Sequence, residues 1–179
     1  MKIRDMTLCA LFAALLCICA WLSLPVADIA FTMQTFGILL TLGILGGKRG
    51  TLSILLYLVL GAVGLPVFSG FQGGLGTLFG VTGGYLTGFL FTGLVYWLIT
   101  ALAGTGPKAR LVAMTVGLLV CYLFGSIWFC ALYLQQGSSL RIGAVIAKCV
   151  LPYLLPDGLK LAAAWLLSSR LCRLLQGGK

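Results

Sequence analysis

From Thr51 to Pro107 the chain carries no Asp, Glu, Lys, Arg or His at all. A run that long without charge cannot coat a globule in water. Only 8% of the 179 residues are charged and 61% are hydrophobic, with a mean hydropathy of +1.14. Soluble domains carry roughly a quarter charged residues, so hydrocarbon is the solvent for most of this chain. Backbone groups in lipid need internal partners, which leaves helices or closed barrels. Barrel strands alternate apolar and polar positions, whereas these runs are continuously apolar, and the fold expected is all-α.

Six spans are expected, in a single membrane domain covering 1–179 with no soluble domain. The uncharged stretch 6–24 is close to the ~20 residues that cross a bilayer. It is too long for the apolar core of a signal peptide, and Pro25 stands where a small residue would be needed for cleavage after Ala27. The second span runs from about 31 to 46 and ends at Lys48-Arg49. The long uncharged run then holds spans 51–65 and 82–103, joined by a glycine-rich connector from Pro66 to Gly80. Spans 111–134 and from about Pro156 to before Arg170 complete the set. With the N-terminus inside, Lys2, Arg4, Lys48, Arg49, Lys108, Arg110, Arg170, Arg173 and Lys179 share one side. Among the loop residues, Arg141 and Lys148 fall opposite. That bias is the positive-inside pattern for both termini in the cytoplasm, and it places the glycine-rich connector, the turn with Asp28 and the segment 135–160 outside.

Several chemistries are excluded. A net charge of +9 suggests nucleic acid in a soluble protein, but these basic residues punctuate apolar runs and mark loops. The chain has no His, and its seven Cys include no Cys-x-x-Cys pair, which argues against a zinc site and against His-based catalysis. Gly46-Gly47-Lys48-Arg49 fails as a phosphate loop, since Arg49 stands where Ser or Thr is needed. A membrane enzyme would need a general acid or base, and only Asp28 and Asp157 lie beyond the N-terminal tail.

What remains points to binding. Asp157 and Lys160 lie three apart at the head of the last span, on one helix face. A charge at mid-bilayer costs on the order of 2.5–3.5 kcal/mol on insertion scales, so both should face inward and find partners. They fit the polar end of a pocket; the alternative is a helix cap with a structural ion pair, Pro156 suiting a first helical turn. The connector joins Phe68 and Phe71 to Gln72, Gly73 and Gly74. Uncharged, aromatic and flexible, it could cover an apolar ligand as a lid or be an ordinary loop. Thr82-Gly83-Gly84-Tyr85 opens the fourth span, and Tyr85 offers a flat apolar face with one hydroxyl. Ala10 and Ala14, like the pairs Gly43/Gly47 and Gly84/Gly88, have the spacing that lets helices approach closely.

Phe31-Thr-Met-Gln-Thr-Phe-Gly, Lys48-Arg-Gly, Gly64-Leu-Pro-Val-Phe, Gly73-Gly-Leu-Gly, Thr82-Gly-Gly-Tyr and the terminal Pro-Asp-x-x-Lys, in that order, resemble the BioY family. These are biotin-specific substrate-binding (S) components of energy-coupling factor (ECF) transporters. The resemblance implies a six-helix bundle in a prokaryotic cell membrane that binds biotin near its outer face and assembles with a T component and two ATPases. It implies no catalysis and no cofactor, biotin being the cargo, and no nucleic acid. It assigns Ala10 and Ala14 to the T-component contact and Asp157 and Lys160 to the pocket. Gln34, the glycine loop and Tyr85 resemble the remaining lining. Biotin's ureido ring has two N–H donors and one carbonyl, which a carboxylate and a Lys or Gln can match.

Overall fold

A hydrogen bond between residues twenty-three apart reveals the central feature of the fold. The computed structural model describes residues 2–24, 31–135 and 150–176, and α2, Gln34–Ala62, is helical on both sides of a non-helical residue, Gly46. A straight helix would hold Gln34 and Tyr57 about 34 Å apart, yet Gln34 Nε2 donates to the Tyr57 hydroxyl at 2.6 Å. The chain therefore doubles back within α2. It turns at Gly46, whose φ of 78° and ψ of 174° lie in a region essentially reserved for glycine. The arms 34–45 and 47–62 lie side by side, and a Cβ on Gly50 would stand 3.0 Å from Leu42 Cα. These are the second and third expected spans, with Lys48-Arg49 in the opening turn of the second arm rather than in a loop.

Before the hairpin comes α1, Ile3–Trp21, which buries Cys9, Phe12, Ala13, Leu16, Cys17 and Ala20, a helical period that makes one inward stripe. A two-residue ribbon follows, β1 (Ser23–Leu24) antiparallel to β2 (Phe31–Thr32) with Ser23 opposite Thr32. After the hairpin the connector forms a 3-10 turn at Ser69–Phe71 and a short helix α3, Leu75–Phe79. The remaining long helices are α4, Gly83–Ala103, α5, Pro107–Gln135, and α6, Leu151–Gln176. With α1 and the two arms of α2 they make six long helical segments among the described residues. Asp28, Arg141, Lys148 and the segment around them lie outside the described residues.

Helices α1, α4 and α5 (to Leu134) are each long and apolar enough to cross a membrane, and α2 contributes its two arms as a hairpin between them. The outer surface is a band of exposed Leu11, Ile18, Leu94, Leu98, Leu119 and Leu123, which is what lipid requires of it. Inside, Leu39, Leu42, Ile54, Tyr57, Tyr96 and Met114 are fully buried. The hairpin is the centre: α1, α4 and α6 all pack on α2, and α5 packs on α4.

Two boundaries differ from expectation. Helix α5 begins at Pro107 rather than Leu111, because proline suits a first turn where its missing N–H costs nothing. Helix α6 begins at Leu151, so Pro156 is interior and Pro152 occupies the first turn in its place. Asp157 is consequently not a helix-capping residue.

At one end of the bundle Arg49 pairs with Asp5 of α1 at 3.0 Å, and Trp165 Nε1 of α6 donates to the carbonyl of Pro107 at 3.0 Å. The starts of α1 and α5, the turn of α2 and the last turns of α6 therefore gather at a basic end. The ribbon, the connector and the starts of α4 and α6 gather at the other.

Candidate functional site

At that second end lies a cavity of about 640 Å³ counting its open mouth. The first arm of α2 has twelve residues, about 18 Å of helix against a hydrocarbon core of ~30 Å, and this shortness leaves room for a recess beneath the ribbon.

One wall is a continuous polar chain. Lys160 Nζ lies 2.7 Å from Asp157 Oδ1 and donates to the Thr32 carbonyl at 2.7 Å. The Tyr122 hydroxyl of α5 donates to Asp157 Oδ2 at 2.5 Å. The Thr32 hydroxyl donates to Gln34 Oε1 at 2.9 Å, and Gln34 passes the chain to Tyr57. Five segments thus meet here: the two arms of α2, β2, α5 and α6.

The ion pair is buried, with both side chains 7% exposed. Desolvating two charges costs several kcal/mol per ion and is offset only by good geometry and further hydrogen bonds. Those are present. Besides its two hydrogen bonds, Lys160 sits 3.8 Å from the centroid of the Phe31 ring, a cation–π contact. A carboxylate has about four acceptor sites, of which Tyr122 and Lys160 use two. Asp157 therefore keeps acceptor capacity toward the cavity. The facing wall is apolar, built from Leu86 and Phe89 of α4 and Leu118 of α5.

Of the expected site residues, Gln34, Thr82, Tyr85, Asp157 and Lys160 line this cavity. Phe68, Phe71, Gln72, Gly73, Gly74 and Gly83 are not among its lining residues. Phe68 is 1% exposed and meets Tyr57 edge-on at 5.5 Å, with a ring so close that a Cβ on Gly61 would lie 2.0 Å from it. It plugs the connector onto the second arm of α2. Phe71 is 64% exposed and stacks on Trp21 at 5.2 Å, while Trp21 Nε1 donates to the Pro66 carbonyl at 2.9 Å. The Gln72 carbonyl accepts from the Phe68 N–H, and the Gly74 N–H reaches the Gly61 carbonyl at 2.7 Å. Gly73 and Gly83 are needed for close approach, since a Cβ would stand 2.2 Å from the Leu65 carbonyl oxygen and 1.8 Å from that of Leu78. The connector residue that does face the cavity is Ser69.

Sequence reasoning missed Thr32, Tyr122 and Tyr153, all in the cavity wall. Thr32 was within reach, being part of the motif that contains Gln34. Ala10 and Ala14 are exposed on the outward face of α1 beside Leu11 and Ile18, away from the bundle's own packing.

Comparison with known proteins agrees with this architecture. The chain is 38% identical over 172 residues, 96% of its own length and 98% of the relative's, to a Pyrococcus horikoshii protein named probable biotin transporter BioY. It is 35% identical over 171 residues, 96% and 97% of the two lengths, to the Thermotoga maritima biotin transporter BioY. Among solved structures it matches the S-component for biotin from an ECF-type ABC transporter, with a TM-score of 0.82 and 26% identity over 96% of this chain and 92% of that one. With the BioY family model matching residues 1–177, the chain belongs to the BioY family.

Proposed function

We propose that this multi-pass membrane protein binds biotin in the cavity beneath the ribbon and serves as the substrate-binding component of an ATP-driven ECF transporter. The observation that carries the reading is the buried Asp157–Lys160 pair, which lines a cavity with one polar and one apolar wall and keeps unused acceptor capacity. The names of its relatives support the same ligand.

Biotin's ureido N–H groups leave water on binding and need acceptors, which Asp157 supplies. Its ureido carbonyl accepts from the remaining Lys160 proton or from Gln34. Tyr85, Leu86 and Phe89 pack the fused rings, while Thr82 and Ser69 are polar groups at the mouth. Phe68, Phe71, Gln72, Gly73, Gly74 and Gly83 act indirectly, by fixing the connector that carries Ser69. The cavity end faces outside and both termini face the cytoplasm, a reading supported by the excess of basic residues at the other end. The exposed Ala10 and Ala14 receive the T component, through which two ATPases act.

The test is calorimetric titration of detergent-purified protein with biotin, riboflavin and thiamine. Biotin alone should bind; binding of another vitamin in its place would overturn the assignment. A single cysteine at Ser69 should label from outside intact cells and one at Thr105 should not, and the reverse pattern would invert the orientation.

A further inference from the structure

A second cavity lies at the basic end, about 920 Å³ counting its open mouth, between the start of α5 and the last turns of α6. Arg110 and Arg170 line it, with Trp165 and Leu166. Its two walls are tied together by the hydrogen bond from Trp165 Nε1 to the Pro107 carbonyl.

Among the described residues the charge of this cavity has no counterpart. The chain has three acidic side chains, Asp5, Asp28 and Asp157. Asp5 is taken by Arg49 and Asp157 by Lys160 at the opposite end, while Asp28 lies outside the described residues. Among the described residues no carboxylate is left for either guanidinium. Arg110 also sits in the first turn of α5, where the helix dipole is positive and a cation is unfavourable. An anion from outside the protein would relieve both costs.

We infer that the cavity between α5 and α6 binds the phosphate of an anionic phospholipid headgroup, held by Arg110 and Arg170. A planar guanidinium presents paired donors that match phosphate geometry, and basic pockets between helices at a membrane surface suit such headgroups. The surroundings favour a lipid over free phosphate. Trp165 lines the same cavity as the two arginines, and tryptophan is a side chain that favours the bilayer interface. From Leu166 an exposed apolar stripe continues along α6 through Leu159 and Leu155, in register for an acyl chain running toward the bilayer centre. The inference is independent of the biotin site, which lies at the other end of the bundle.

The experiment is native mass spectrometry of the full chain in nonionic detergent, with dioleoyl phosphatidylglycerol and dioleoyl phosphatidylcholine offered in equal amounts. Phosphatidylglycerol adducts should exceed phosphatidylcholine adducts about tenfold. The Arg110→Gln/Arg170→Gln protein should lose that preference, and Arg110→Lys/Arg170→Lys should keep most of it. Biotin affinity, the check on folding, should stay within about twofold in both. Equal retention of the two lipids by the wild type, or an undiminished preference in the glutamine variant, would overturn the proposal. Displacement of the lipid by millimolar inorganic phosphate would reassign the site to the free anion. Loss of T-component co-purification with lipid retention unchanged would reassign it to a protein partner.

Discussion

Lys160 donates to the backbone carbonyl of Thr32 across 128 residues of sequence, at 2.7 Å. This bond joins the last helix to the ribbon that covers the cavity, so the ion pair has a structural duty beside any contact with ligand. Lys160→Met leaves Asp157 with Tyr122 alone and the Thr32 carbonyl without its donor. Breaking a buried pair costs about 3–5 kcal/mol, and thermal unfolding in detergent should show a large drop in Tm. Asp157→Asn/Lys160→Met removes both charges and should recover much of it. An unchanged Tm in the single variant would mean the pair contributes nothing to folding.

The turn of α2 offers a second test. A Cβ on Gly46 would meet no atom within 4 Å, so Gly46→Ala probes backbone strain alone. At φ 78°, ψ 174° the cost is about 1–3 kcal/mol. Unfolding should occur at lower temperature with biotin affinity little changed in the protein that remains folded.

Phe68 and Asp157 should separate stability from binding. Phe68 is buried under the connector and absent from the cavity wall, so Phe68→Ala should destabilise by about 3–5 kcal/mol on the scale of soluble cores. Biotin affinity measured well below the unfolding temperature should fall much less. A variant of normal stability that has lost biotin would put Phe68 in the pocket.

Ala14 faces outward on α1. Ala14→Trp should leave folding and biotin binding intact and abolish co-purification with the T component, because close helix approach needs small side chains. Normal assembly of the tryptophan variant would remove this face from the docking surface.

How much of this was legible without coordinates follows from what each residue must do. Charge-free runs have only one solvent open to them, which is why the helical spans could be read. Asp157 and Lys160 stood out because charge beside an apolar run needs a partner, and the partner of each is partly the other. Tyr122 had no such signal. A tyrosine in an apolar span fits many surroundings, and its acceptor lies 35 residues away. Pro156 was misread as a helix start because Pro152, four residues earlier, fits the same rule. In the connector, glycines and aromatics suggested a lid over ligand. Sequence could not distinguish a ring turned toward the cavity from Phe68, which is pressed onto Gly61, or Phe71, which stacks on Trp21.

The central claim is that Asp157 accepts hydrogen bonds from biotin's ureido group. Charge-assisted hydrogen bonds contribute about 1.5–3 kcal/mol. Asp157→Ala, purified as a monodisperse protein, should therefore bind biotin roughly ten- to a hundredfold more weakly than wild type. Asp157→Asn keeps one acceptor and should lose less. The deciding measurement is the biotin Kd of Asp157→Ala by calorimetry. A value within about twofold of wild type would show that Asp157 serves the fold alone and would contradict the assignment of the pocket.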